Sequence, residues 1–198
     1  MTNECVESGL RQKRDALRQL PEFQSKKAET HLKLAELLMQ QGDPNGAIEE
    51  YQAAIRINPR MSDAYTGLGA VHIDKHEWVK AKQALQKGTL LDPHNHEAWF
   101  WLGRSLIAQE HFHQAEEALV KATQLDPNNP QSHSDLGLVF MAEGQSKEAE
   151  KAITHAIALQ PDFAEAHHRL EQVRGAWNDS GKLIQSAHHI LDTLFRRE

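Results

Sequence analysis

The chain has 198 residues, 39% of them hydrophobic, with a formal net charge of −6 and a single cysteine, Cys5. Its mean hydropathy is −0.64 and its pI is near 6.1. That balance disfavours nucleic acid or an anionic membrane as the main partner, because both reward basic patches, and the lone cysteine excludes an internal disulfide framework and fits a reducing compartment. No apolar run approaches the ~18 residues a bilayer span needs. The start, Met1-Thr2-Asn3-Glu4-Cys5, lacks the apolar core of a signal peptide. No membrane insertion is expected, and the cytoplasm is the expected location.

In chain order, residues 1–27 carry Val6, Leu10, Leu17 and Leu20 on a basic, helix-like stretch with Arg11, Lys13, Arg14 and Arg18. Two readings stand for it, an N-terminal cap or a docking and self-association arm. From residue 28 a period of 34 takes over, marked by Pro59, Pro93, Pro127 and Pro161. The units run 28–61, 62–95, 96–129 and 130–163. Position 7 of each is Leu34, Leu68, Leu102 and Leu136. Position 8 is small: Ala35, Gly69, Gly103 and Gly137. Position 20 is always alanine, at Ala47, Ala81, Ala115 and Ala149. Position 24 is Tyr51, Leu85, Leu119 and Ile153, and position 27 is Ala54, Gly88, Ala122 and Ala156.

Ala, Leu, Glu, Gln and Lys dominate each unit and favour helix. The small residues at positions 8 and 20 let two helices approach closely. Asn58, Asp92, Asp126 and Gln160 each precede a proline and so end a helix. Gln41-Gly42-Asp43-Pro44 and Glu143-Gly144 mark turns inside units one and four. Tyr65 and Trp99 at position 4 are expected to fill the space between helices, with Trp99 buried, and His31 and His133 to pack less well there.

Residues 164–198 begin as the first helix of a fifth unit, with Leu170 in register, but Glu171 replaces the small residue at position 8. After Asn178-Asp179-Ser180-Gly181 come Leu183, Ile184, Ala187, Ile190, Leu191, Leu194 and Phe195, an amphipathic stripe. A cap over the last apolar face is the expected role, with a dimer contact through the same stripe as the alternative.

On these positions the chain resembles the tetratricopeptide-repeat family, whose 34-residue unit is a helix–turn–helix that stacks on copies of itself. The resemblance implies an all-α, right-handed α-solenoid of four repeats with an N-terminal helix and C-terminal capping helices, about eleven helices in all. It also implies that the first helices line a concave groove through positions 2, 5, 9 and 12. Those residues are Glu29, Leu32, Glu36 and Met39; Asp63, Thr66, Ala70 and Ile73; Glu97, Phe100, Arg104 and Ile107; and Gln131, Ser134, Leu138 and Met141. A row of acids at position 2, extended by Glu165 and accompanied by Glu36 and Asp74, stands beside an apolar centre at Phe100, Ile107, Leu138 and Met141, with Phe100 expected to be exposed. Many relatives hold the C-terminal carboxylate of heat-shock chaperones with Lys, Asn and Arg. Here the matching places hold Leu32, Glu36, Gly67, Glu97 and Trp101, so that ligand fails on residues.

The 13 histidines invite a metal. Yet His94/His96 and His111/His113 bracket a helix and lie ~20 Å apart at 1.5 Å per residue. No metal or cofactor is expected. No nucleotide loop, zincin or nucleophile-elbow pattern occurs. Gly67-Leu68-Gly69 lies within a helix as repeat packing. The expected function is non-catalytic: an adaptor that holds a peptide or helix of a protein partner, one carrying Lys or Arg, in the groove. The alternatives are a scaffold self-assembling as a homo-oligomer through its terminal helices, and a sensor using the cap histidines.

Overall fold

The computed structural model describes residues 21–176 together with Ile190 and Leu191. Among the described residues there are nine helices: α1 (Pro21–Gln40), α2 (Pro44–Ile57), α3 (Ser62–Asp74), α4 (Trp78–Leu91), α5 (His96–Ile107), α6 (Phe112–Leu125), α7 (Pro130–Ala142), α8 (Ser146–Leu159) and α9 (Ala164–Ala176). The chain is all-α. The N-terminal stretch before Pro21 and most of the final amphipathic stripe lie outside the described residues. Helix α1 begins seven residues ahead of the boundary drawn at 28 and runs across it unbroken.

The helix ends follow from local chemistry. Asp43, Asn95 and Asn129 cap α2, α5 and α7, accepting from the backbone N–H of Gly46, Ala98 and Ser132 at 2.9, 3.0 and 2.9 Å. Pro44 and Pro130 occupy the first turn, where no N–H is needed. Each second helix stops at the residue before proline. Asn58, Asp92, Asp126 and Gln160 are all extended, with φ between −128° and −136°.

Within each unit the turn is made at position 15. Gly42, His76, Glu110 and Gly144 adopt φ of 77°, 56°, 58° and 74°. The next residue donates its N–H back to position 11, as Asp43 does to Leu38, Glu77 to His72, His111 to Leu106 and Gln145 to Phe140. This is the left-handed helix stop that glycine adopts without strain. Units two and three make the same turn with a side chain, which the absence of glycine there had concealed.

Each helix packs on the helices before and after it, and the first helices of successive units also touch one another. Position 8 meets position 24 of its own unit. A Cβ on Gly69, Gly103 or Gly137 would stand 2.4, 2.6 or 2.4 Å from Leu85, Leu119 or Ile153. Ala47, Ala81, Ala115 and Ala149 are fully buried, which explains the invariance of position 20.

Two expectations need correction. Trp99 is half-buried rather than buried, and its indole N–H donates to the Pro93 carbonyl at 3.0 Å. His133 and His167, at the same position, reach the Pro127 and Pro161 carbonyls at 2.9 and 2.8 Å through Nε2. Histidine there supplies the same ring N–H as tryptophan, so it is a substitute and not a packing fault.

Ile190 and Leu191 are buried in the same core as Ala166 and Val173 of α9. That core runs from Ile73 to Leu191, while Ala35, Ala47, Tyr51, Ala54, Ala64 and Val71 form a separate cluster around unit one. The division falls on α3, where Thr66, Gly67 and Ala70 offer no large side chain to join the two.

Candidate interaction groove

The groove positions separate into two groups. Glu29, Glu36, Asp63, Asp74 and Glu97 are exposed, and Leu32, Met39 and Arg104 are half-buried. Thr66, Ile73, Phe100, Ile107, Leu138 and Met141 are buried, with Phe100 at 9% and Ile107, Leu138 and Met141 at 0% exposure. The expected exposed Phe100 and the apolar floor it shared with Ile107, Leu138 and Met141 are therefore core. Each first helix is flanked by its own second helix, by the preceding one and by neighbouring first helices. Only a narrow stripe stays open, and position 12 turns inward in units two to four, at Ile73, Ile107 and Met141.

The gap in the core at α3 opens into this stripe as a cavity of about 280 Å³. Glu36, Tyr51, Asp63, Thr66, Gly67, Ala70, Asn95, Glu97 and Trp101 line it. The structure thus gathers four of the sequence-derived groove residues, Glu36, Asp63, Thr66 and Glu97, around one space. Asp63 Oδ1 accepts from Asn95 Nδ2 at 3.2 Å. Among the described residues the Glu36 and Glu97 carboxylates have neither a hydrogen bond nor an ion pair. Burial, and then the charges of Glu36 and Glu97, push the Tyr51 hydroxyl up to about 12.

Sequence reasoning had placed Tyr51 and Gly67 as packing and had otherwise noted Gly67 and Trp101 as misfits to the chaperone-tail pattern. The available signal was their shared position 6: glycine in unit two faces a tryptophan one unit on.

Beyond Trp101 the charge pattern changes. The Arg104 guanidinium sits 5.4 Å from the Trp101 ring centroid and 5.9 Å from that of Phe100. Its Nε lies 3.5 Å from Asp135 Oδ2. Arg169, 1% exposed, reaches Asp135 at 3.1 Å, Ser134 at 2.7 Å and Glu165 at 2.5 Å. A ladder of alternating charge thus ties units three, four and five together, and Asp135 and Arg169 were not foreseen.

On the opposite face of α7 an apolar cleft of about 740 Å³ runs between α7 and α8, lined by residues that include His133, Leu136, Phe140 and His155. The two histidine rings meet edge to face at 4.3 Å. Burial holds His133 below the usual imidazole range, against the pull of the Pro127 carbonyl. The other histidines are dispersed: His31 meets Glu50, His72 meets Glu77 at 2.6 Å, and His96 meets Asp126 at 3.8 Å. Among the described residues no three metal-binding side chains gather, and no helix is long and apolar enough to cross a membrane.

Helix pairs of fixed length, stacked in sequence with small residues at positions 8 and 20, define a tetratricopeptide-repeat solenoid, a class of protein-interaction module. Residues 5–188 match the family model described as the Cilia and flagella-associated protein 70 C-terminal domain, and the chain belongs to that family. No curated protein sequence matches it. Solved structures share the fold. YrrB, described as "a TPR protein with an unusual peptide-binding site", is 20% identical, with 85% of this chain and 86% of that one covered at a TM-score of 0.67. MamA from Desulfovibrio magneticus RS-1 is 18% identical over 86% and 96% at 0.71. PilF of Pseudomonas aeruginosa is 19% identical over 87% and 77%, also at 0.71.

Proposed function

We propose that this domain is a non-catalytic adaptor that holds a peptide or helix of a protein partner along the stripe left open by its first helices. The observation that carries this reading is the pair of carboxylates, Glu36 and Glu97, which have no partner among the described residues and line an open cavity beside Trp101. Exposed charges without a partner inside the fold cost the fold nothing to lend to a ligand. The peptide-binding site in the description of YrrB and the interaction role of the repeat class favour the same reading. The family name directs the search for the partner, and for the place of work, to cilia and flagella rather than to the cytoplasm at large.

The proposed contacts are Glu29, Leu32, Glu36, Met39, Asp63, Asp74, Glu97 and Arg104. The buried Thr66, Ile73, Phe100, Ile107, Leu138 and Met141 support them from below. The scaffold alternative is weakened by Ile190 and Leu191, which the chain covers with its own core and does not offer to a second copy. A photo-crosslinker at Gln131, exposed on the groove side of α7, is compared with one at Lys87, exposed on α4. Partner captured from Gln131, and lost with Glu36→Lys plus Glu97→Lys, supports the groove. Capture from Lys87 alone overturns it.

A further inference from the structure

The cavity between units one and three has a shape and chemistry of its own. At about 280 Å³ it falls below the ~300–1,000 Å³ of pockets for drug-sized ligands and suits one inserted side chain. It exists because α3 carries Gly67 and Ala70 where a larger residue would fill the space. A Cβ on Gly67 would meet Tyr51 Cε1 and Cζ at 2.4 Å and its hydroxyl oxygen at 2.6 Å. The missing side chain is what lets the Tyr51 ring reach beneath α3 from unit one.

Tyr51 is 5% exposed and lines the cavity, and its hydroxyl has no hydrogen-bond partner among the described residues. The hydroxyl of a tyrosine whose ring is this buried ordinarily finds a partner. Around it stand three carboxylates from three helices: Glu36 on α1, Asp63 on α3 and Glu97 on α5. Among the described residues only Asp63 is engaged, by the neutral Asn95. Arg104, one turn beyond Trp101 on α5, is drawn toward Asp135 of the next unit while it lies against Trp101. The cavity therefore gathers hydrogen-bond acceptors and negative charge beside an indole, with no cation of its own among its lining residues.

We propose that this cavity receives the guanidinium of one arginine from the partner segment, set against Trp101 and hydrogen-bonded by Glu36, Asp63, Glu97 and the Tyr51 hydroxyl oxygen. The proposal rests on the groove reading above and names the residue that anchors the ligand. Acceptors spread over several elements suit the five donors of a planar fork better than the compact ammonium of lysine, and indole stacks on guanidinium. The site is opposite in charge to the carboxylate-binding pattern whose basic residues this chain lacks. Burial first, and then the charges of Glu36 and Glu97, raise the Tyr51 hydroxyl.

The test needs no partner. N-acetyl-arginine amide is titrated into the ¹⁵N-labelled full chain, with the Trp101 indole N–H, assigned through Trp101→Phe, as the readout. N-acetyl-lysine amide and N-acetyl-citrulline amide are the comparisons. Expected is saturable movement of that signal by the arginine amide, with the uncharged citrulline amide at least about tenfold weaker. The lysine amide falls between them. Glu36→Gln, at an exposed position, and Glu97→Gln should together weaken the arginine amide by about tenfold while the helical signal stays unchanged. Equal response to arginine and citrulline, or no movement of the indole signal, overturns the proposal. Loss of partner crosslinking at Gln131 with arginine-amide binding intact sinks the groove reading alone. Crosslinking at Gln131 with no response to the amide sinks this proposal alone.

Discussion

Arg169 of α9 donates to Asp135 of α7 across 3.1 Å, with the arginine side chain 1% and the aspartate 11% exposed. The two residues stand at position 6 of successive units. Their contact, continued by Arg104 on one side and Glu165 on the other, joins three repeats through charge where most repeat contacts are apolar. Taking one partner from such a pair leaves the other buried and uncompensated. Asp135→Ala should cost about 3 kcal/mol in urea unfolding, at the low end because Arg169 keeps Ser134 and Glu165. Asp135→Leu combined with Arg169→Met should recover most of that loss. If Asp135→Ala unfolds with the parent, the ladder contributes little to cohesion.

Position 15 offers a gain. Glu110 holds φ of 58° with a side chain, where units one and four use glycine. A left-handed non-glycine residue costs about 1–2 kcal/mol. Glu110→Gly should raise stability by at most about 1 kcal/mol, less than the full strain because glycine loosens the unfolded chain and the glutamate's own interaction is lost. His76→Gly should gain less, since it forfeits the edge contact of His76 with Trp78 at 5.1 Å. Thermal melts of the two variants beside the parent measure the difference.

Tyr51 gives a pH signature. Its ordinary value is 10.0, and in the fold it rises to about 12 through burial and the nearby carboxylates. Below the ordinary value the hydroxyl is protonated in both states and adds no pH dependence. Between the two values the unfolded chain loses the proton first, so stability falls as pH rises through that window. Urea midpoints should therefore drop more steeply from pH 10 to 12 in the parent than in Tyr51→Phe. Parallel curves would mean that the hydroxyl is well hydrated and the cavity less closed than its lining suggests.

The last residues of the core are testable too. Ile190 and Leu191 are 8% and 4% exposed and share a cluster with Val173. Replacing either by alanine should cost about 2–5 kcal/mol. Deleting 179–198 uncovers the apolar face of α9 and should lower solubility, read by light scattering at rising concentration. A truncated chain as stable and as monodisperse as the parent would exclude a capping role.

Burial also reverses one expectation about function. Phe100 was expected to be exposed in the groove, but Phe100→Ala removes a ring that is 9% exposed. It should destabilise the fold by about 3–5 kcal/mol. A binding defect in that variant therefore says nothing about the groove unless its melting point is unchanged.

The solenoid was legible in the sequence because its determinants are local and repeated. Proline after position 31 stops a helix through the sterics of the preceding residue, whatever surrounds it. Small residues at positions 8 and 20 are required at each close helix crossing, so they recur with the period. Part of the acidic character of the open stripe was legible for a local reason too, since Asp63 and Glu97 at position 2 fall in the first turn of α3 and α5. What tertiary structure alone decided is which groove-facing side chains stay in water. A helical face assigned by spacing says nothing about how far neighbouring helices wrap it. Ile107, Leu138 and Met141 lie on the foreseen face and are still fully buried. The cavity is likewise a property of three units at once: an absent side chain at Gly67, a tyrosine reaching under it from unit one and a tryptophan from unit three. No single repeat encodes that space, because its walls are set by the stacking of helices far apart in the chain.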